Sequence, residues 1–101
     1  MFAVVYHWRL LENSNEKEFL EVWHKGTTKI YEERGSFGSS LHKLNDGTFI
    51  AYARWPNKEA WQKMMRETSK TSTNKQFVES VEAPLELDVL DDLLKTRQFQ
   101  D

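Results

Sequence analysis

The chain has 101 residues, 39% of them hydrophobic and 30% charged, with a formal net charge of -2. That length serves one domain and is too short for two cores. The slightly acidic balance, with Lys and Arg dispersed, argues against nucleic-acid binding, and the lack of cysteine excludes disulfides, thiolate metal sites and Cys nucleophiles.

No apolar run approaches the ~20 residues that span a bilayer. The start, MFAVVYHWRLL, has neither a basic region nor a small-residue cleavage site. A cytoplasmic protein with no membrane partner is therefore expected. Four Trp, six Phe and three Tyr are more than a small core needs, and such side chains favour ligand sites and subunit interfaces.

In chain order, residues 2–11 predict a strand. Phe2, Val4, Tyr6, Trp8 and Leu10 share one face; Ala3, Val5, His7, Arg9 and Leu11 share the other. Both sets begin apolar, as in a central strand covered on two sides. Asn13 and Asn15 each stand three residues before a Glu, so either could cap the next helix. That helix is expected to reach about Arg34. Phe19, Trp23, Thr27 and Ile30 form its stripe, flanked by Leu20 and Val22. Gly26 in its middle predicts a bend or a close approach of backbone, and Gly35 is the expected terminator.

Residues 36–55, SFGSSLHKLNDGTFIAYARW, predict a β-hairpin. Asn45-Asp46-Gly47 supplies the turn, with Gly at the φ > 0 position. The implied register pairs Lys43 with Phe49, His42 with Ile50, Leu41 with Ala51, Ser40 with Tyr52, Ser39 with Ala53 and Gly38 with Arg54. Neither hairpin face is polar throughout, so both should be covered. A second helix starts near Asn57 and carries Ala60, Trp61, Met64 and Met65 inward. Residues 69–73 (SKTST) are a polar break, readable as a lid or an ordinary loop. Asn74 could cap a short third helix holding Phe77, Val78 and Val81. Pro84 opens a last strand in which Leu85, Leu87 and Val89 alternate with Glu86, Asp88 and Leu90. Leu93 and Leu94 are expected to dock, and residues 95–101 form a polar tail.

Strand, helix, strand, strand, helix, strand is the order of a ferredoxin-like split βαβ domain of the α+β class, with a four-stranded antiparallel sheet under two helices. One sheet face would remain bare and apolar, including Val5 and Leu11. Pressing two such faces together across a two-fold axis would bury it. A homodimer is expected, with Val5, His7 and Arg9 at the interface.

The start MFAVVYHWRL, the segment RGSFGSSLHK, the turn NDG and the run YARWPNKEAWQKMM together resemble the antibiotic biosynthesis monooxygenase (ABM) domain of the dimeric α+β barrel superfamily, over residues 2–94. The resemblance implies a ferredoxin-like dimeric barrel with a small pocket between sheet and helices in each subunit. The family includes cofactor-independent quinone-forming monooxygenases and haem-degrading enzymes. Aligned on Arg9-Leu10, Trp8 stands where the haem-degrading branch has Asn. Trp61 matches an aromatic that many members carry. Met64 replaces a usual Trp or His, and the haem-ligating His would fall near Asn74. The resemblance thus implies no cofactor, and no haem in particular.

Candidate chemistry follows from side-chain types. Tyr52 and His42 should be diagonal neighbours on one hairpin face; a phenol and an imidazole there could serve as donor and proton acceptor, or simply stabilise the sheet. Tyr6, Trp8, Trp23, Trp61 and Met64 could line a pocket for a flat aromatic ligand, or be core. Glu86, Asp88, Asp91 and Asp92 read as a solvated or Lys/Arg-paired edge rather than a metal site. No phosphate cradle, nucleophile elbow or metal-helix motif occurs. The expected function is an ABM-like monooxygenase acting on a small phenol or quinol, with a non-catalytic aromatic-binding or stress-related module as the alternative.

Overall fold

The structure is a computed structural model and describes residues 1–68 and 74–93. β1 (Phe2–Leu10) leads into α1 (Glu16–Arg34), followed by β2 (Gly38–Lys43), β3 (Phe49–Trp55), α2 (Lys58–Thr68), β4 (Val78–Ser80) and β5 (Leu85–Asp88). The strands form one antiparallel sheet in the order β2-β3-β1, with β4 and β5 both on the far side of β1. This is the α+β ferredoxin-like order expected, except that two short strands fill the fourth position.

Local chemistry sets the element ends. Asn15 caps α1, its Oδ1 accepting from Glu18 N at 3.1 Å, while Asn13 takes a left-handed turn (φ 70°). Gly35 closes the helix at φ 77°, a conformation that costs L-residues energy. Gly26 does not interrupt α1, which runs through it, and a Cβ added there would touch nothing within 4 Å. Asn57 Oδ1 accepts from Ala60 N at 2.8 Å and so caps α2.

The hairpin register agrees at all six pairs of β2 with β3. In its turn, Asp46 Oδ1 accepts from Thr48 N (2.9 Å) and Thr48 Oγ1 (2.6 Å). Thr48 has thereby spent its only hydroxyl proton, so His7 Nε2, 2.9 Å away, is the donor to Thr48 Oγ1. The two hydrogen bonds hold the Asp46 carboxyl below its usual range.

The third helix expected after Asn74 is absent: residues 74–76 make one 3-10 turn, and Val78–Ser80 is a strand on β1. Val78 is buried in a cluster with Phe19 and Phe49, and pairing opposite Leu10 satisfies backbone groups that one helical turn could not. Between β4 and β5 the register moves by two residues, so residues 81–84 bulge, tied by Val81 N to His7 O at 2.8 Å. Leu93 does not dock in the single chain; it is 80% exposed. The 69–73 break, Leu94 and the tail lie outside the described residues.

The helices cover the face of Phe2, Val4, Tyr6 and Trp8, whose cross-strand partners are Trp55, Ala53, Ala51 and Phe49. Two clusters form there. One joins Phe2, Val4, Trp55, Trp61 and Met64; the other joins Phe19, Phe49 and Val78, with Trp8 and Trp23 against it. The opposite face carries Val5, His7, Ile50 and Tyr52, and among the described residues no helix lies over it. Leu85, paired with Val5, is 52% exposed there, and Leu87, paired with Ala3, 41%.

Candidate functional site

Between the two clusters the sheet falls away. Large residues end β3, Phe49 and Trp55, but Ala51 and Ala53 lie between them on the same face, with Ser39 beside Ala53 on β2. These short side chains leave a cavity of about 580 Å³ under α1 and α2. Tyr6 and Trp8 floor it from β1; Trp23, Thr27 and Ile30 wall it from α1; Met64, Met65 and Thr68 wall it from α2. Asn74, Lys75, Glu79, Ser80 and Pro84 edge the side nearest β4. Its size and mainly apolar wall suit a small-molecule ligand.

The aromatic floor is ordered by ring contacts. Tyr6 stacks on Trp8, centroids 5.3 Å apart and planes 22° from parallel. Trp8 meets Phe19 edge-on at 6.0 Å, and Phe19 meets Phe49 at 5.3 Å. A planar ring entering the cavity would extend this series of contacts.

The polar contacts of the floor centre on Tyr6. Trp61 Nε1 donates to Tyr6 Oη at 2.8 Å. Tyr6 Oη in turn directs its proton to Met65 Sδ, 3.8 Å away. Burial raises the Tyr6 pKa, opposed in smaller part by the Trp61 hydrogen bond, so the phenol is neutral at physiological pH. Trp55, 1% exposed, has an indole Nε1 with no partner among the described residues. Glu79 is paired with Arg9 at 3.1 Å. No histidine stands among the described residues of the wall.

Of the residues singled out from sequence, Tyr6, Trp8, Trp23 and Met64 line the cavity, while Trp61 stands behind Tyr6 and packs on Phe2 at 5.7 Å. Tyr52 and His42 do not join them. They pair with Val5, Ser40 and Ile50, on the face turned away from the helices; strand alternation puts Ala51, Ala53 and Leu41 inside instead. His42 bonds Ser40 Oγ at 2.8 Å and borders a separate groove of about 470 Å³ between α1 and β2. His7 and Arg9 lie on that same outer face, His7 Nδ1 3.5 Å from Glu82 and Arg9 paired with Glu79. Sequence reading missed Trp55, Met65, Thr27 and Ser39. The signal for the cavity was the run of small residues at Ser39, Ala51 and Ala53 between bulky ones.

Solved structures match this fold over nearly the whole chain. SnoaB, a cofactor-independent oxygenase from Streptomyces nogalater, superposes with a TM-score of 0.74 at 13% identity, covering 93% of this chain and 97% of its own. HapK from Hahella chejuensis gives 0.74 at 12% identity, covering 96% and 100%. ActVA-Orf6, a Streptomyces coelicolor monooxygenase solved with nanaomycin D, gives 0.66 at 16% identity, covering 94% and 92%. The fold is that of the ABM domains. No family model and no curated protein matches the sequence. In this ABM-fold chain the three positions set against the haem-degrading branch, Trp8, Met64 and Asn74, all line the cavity and supply no imidazole. Among the described residues no group of three His, Cys, Asp or Glu could hold a metal ion, and no helix is long and apolar enough to cross a membrane. Glu86 pairs with Lys58 at 3.1 Å and Asp92 with Arg54, as expected of an ion-paired edge.

Proposed function

We propose that the chain is a cofactor-independent monooxygenase of the cytoplasm that takes a small phenol or quinol into the cavity between sheet and helices. The observation that carries this reading is the 580 Å³ cavity floored by the stacked Tyr6 and Trp8. The shared fold with SnoaB, described as a cofactor-independent oxygenase, and with ActVA-Orf6, which holds nanaomycin D, supports it. An electron-rich phenolate can itself reduce O₂, so the protein needs to exclude water, orient the ring and favour its ionised form. Tyr6, Trp8, Trp23 and Met64 would contact the ligand, and Trp61 would hold Tyr6.

The working unit is a homodimer in this proposal. The outer face carries the apolar Val5, Leu85 and Leu87 beside Tyr52 with no cover among the described residues, and a second copy would bury it with Val5, His7 and Arg9 at the seam. Tyr52 and His42 then belong to the seam side of the sheet rather than to proton transfer in the cavity.

A second reading, a non-catalytic binder of small aromatics, is favoured by one feature: the described wall residues include no carboxylate or imidazole free to take a proton, Glu79 being paired with Arg9. Oxygen-electrode measurements with a hydroquinone panel, run beside thermal-shift measurements, separate the two. Oxygen uptake that falls on Trp8→Ala supports the enzyme. Thermal stabilisation by the same compounds without uptake supports the binder. Neither effect would remove both.

A further inference from the structure

We infer that the Tyr6 hydroxyl is the donor that receives the ligand's phenolic oxygen and holds it as the phenolate, with Trp61 as its positioning residue. The inference rests on the aromatic-binding reading above and specifies which atom of the cavity reads which atom of the ligand.

The hydrogen-bond inventory leads to it. A phenol has one proton to donate, whereas an indole N–H can only donate. Trp61 Nε1, 2.8 Å from Tyr6 Oη, therefore occupies an acceptor lobe of that oxygen. The Tyr6 proton must point elsewhere, and its partner is the thioether of Met65 at 3.8 Å. Sulfur is a weak acceptor, and Met65 is 37% exposed and itself a cavity wall. A strong donor is thus aimed towards the cavity and satisfied by a group that a ligand oxygen can displace. The Tyr6 proton calls for an acceptor, and a phenolate oxygen accepts without donating. Ionisation sends the ligand's proton to solvent; Tyr6 keeps its own, as its raised pKa requires. A hydrogen bond to the ionised form lowers the ligand's ionisation midpoint.

The test uses 4-nitrophenol, whose phenolate absorbs visibly and which is too electron-poor to be turned over. Absorbance of the bound probe is titrated from pH 5 to 9 in the wild type, Tyr6→Phe and Trp61→Phe. Tyr6→Phe keeps the ring on Trp8 and removes the hydroxyl, which is both the donor to the ligand and the acceptor for Trp61 Nε1. The bound probe should ionise about one pH unit higher in Tyr6→Phe than in the wild type, the scale of one hydrogen bond to a charged group. Trp61→Phe should fall between them, because Tyr6 keeps its proton but loses its orientation. Equal midpoints in the wild type and Tyr6→Phe, with the probe bound to both, overturn the inference while leaving aromatic binding intact. A wild-type protein that does not bind the probe at all overturns the cavity reading and this inference together.

Discussion

Truncating Phe19 to alanine tests whether the aromatic floor is a packed unit. Phe19 is fully buried and holds two edge-on ring contacts, with Trp8 at 6.0 Å and Phe49 at 5.3 Å. Phe→Ala in a core costs about 3–5 kcal/mol, and aromatic pairs are worth about 0.5–1.5 kcal/mol beyond their area. Losing two pairs keeps this site well inside that range, at about 4 kcal/mol. For a domain of this size each kcal/mol moves Tm by about 4–8 °C, so a fall of about 15–30 °C is expected. Urea denaturation at one fixed protein concentration measures the cost, since association would make the midpoint concentration-dependent. Leu20→Ala, one residue along and 41% exposed, is the control and should stay within about 0.5 kcal/mol of wild type. Because Trp8 loses its backing, hydroquinone affinity should fall with Phe19→Ala and not with Leu20→Ala. A Phe19→Ala cost under about 1 kcal/mol, or one equal to the control, would refute the packed-floor argument.

Leu85→Lys with Leu87→Lys should convert a particle of twice the 12.0 kDa chain mass into the single chain in sedimentation, with the circular dichroism unchanged. Asn15→Ala removes the bond to Glu18 N and should cost about 1 kcal/mol in urea denaturation. Tyr6 has a folded-state pKa raised above 10.0, so the folded form holds its proton more tightly than the unfolded chain. Its contribution is complete below the unfolded pKa and is lost as pH rises through the folded one; Tyr6→Phe should flatten that alkaline slope in pH-dependent melting. Asp46 has the opposite sign, its pKa lowered from 3.8 by Thr48. Its contribution is present above 3.8 and lost as pH falls through the folded value, so Asp46→Ala should weaken the acid dependence of hairpin amide exchange.

The features legible from the sequence were those written in short windows. Asn45-Asp46-Gly47 dictated the turn and, through it, every pairing of β2 with β3. Asn57 marked where α2 begins, and alternation along β1 separated Phe2, Val4, Tyr6 and Trp8 from Ala3, Val5, His7 and Arg9. The pocket was expected from a family resemblance, and four of its wall residues from their aromatic or thioether character. Val78–Ser80 was misread because three residues with an Asn before them look equally able to start a helix. Only the free edge of β1, supplied by residues some seventy positions earlier, makes them a strand.

The amino-acid order alone thus determined the hairpin turn, its register and the two face sets of each strand, because each depends on neighbours in sequence or on period-two geometry; between Asn13 and Asn15 as the cap of α1 only the structure decided. Which face the helices would cover was decided by tertiary packing. Phe49 and Trp55 seat against Phe19 and Trp61 from distant segments, and that choice carries Ala51 and Ala53 inward and Tyr52 outward. Burial of apolar surface is summed over the whole chain and has no direction of its own. For that reason the cavity, the Trp61-to-Tyr6 hydrogen bond and the exclusion of His42 could be read only from the folded molecule.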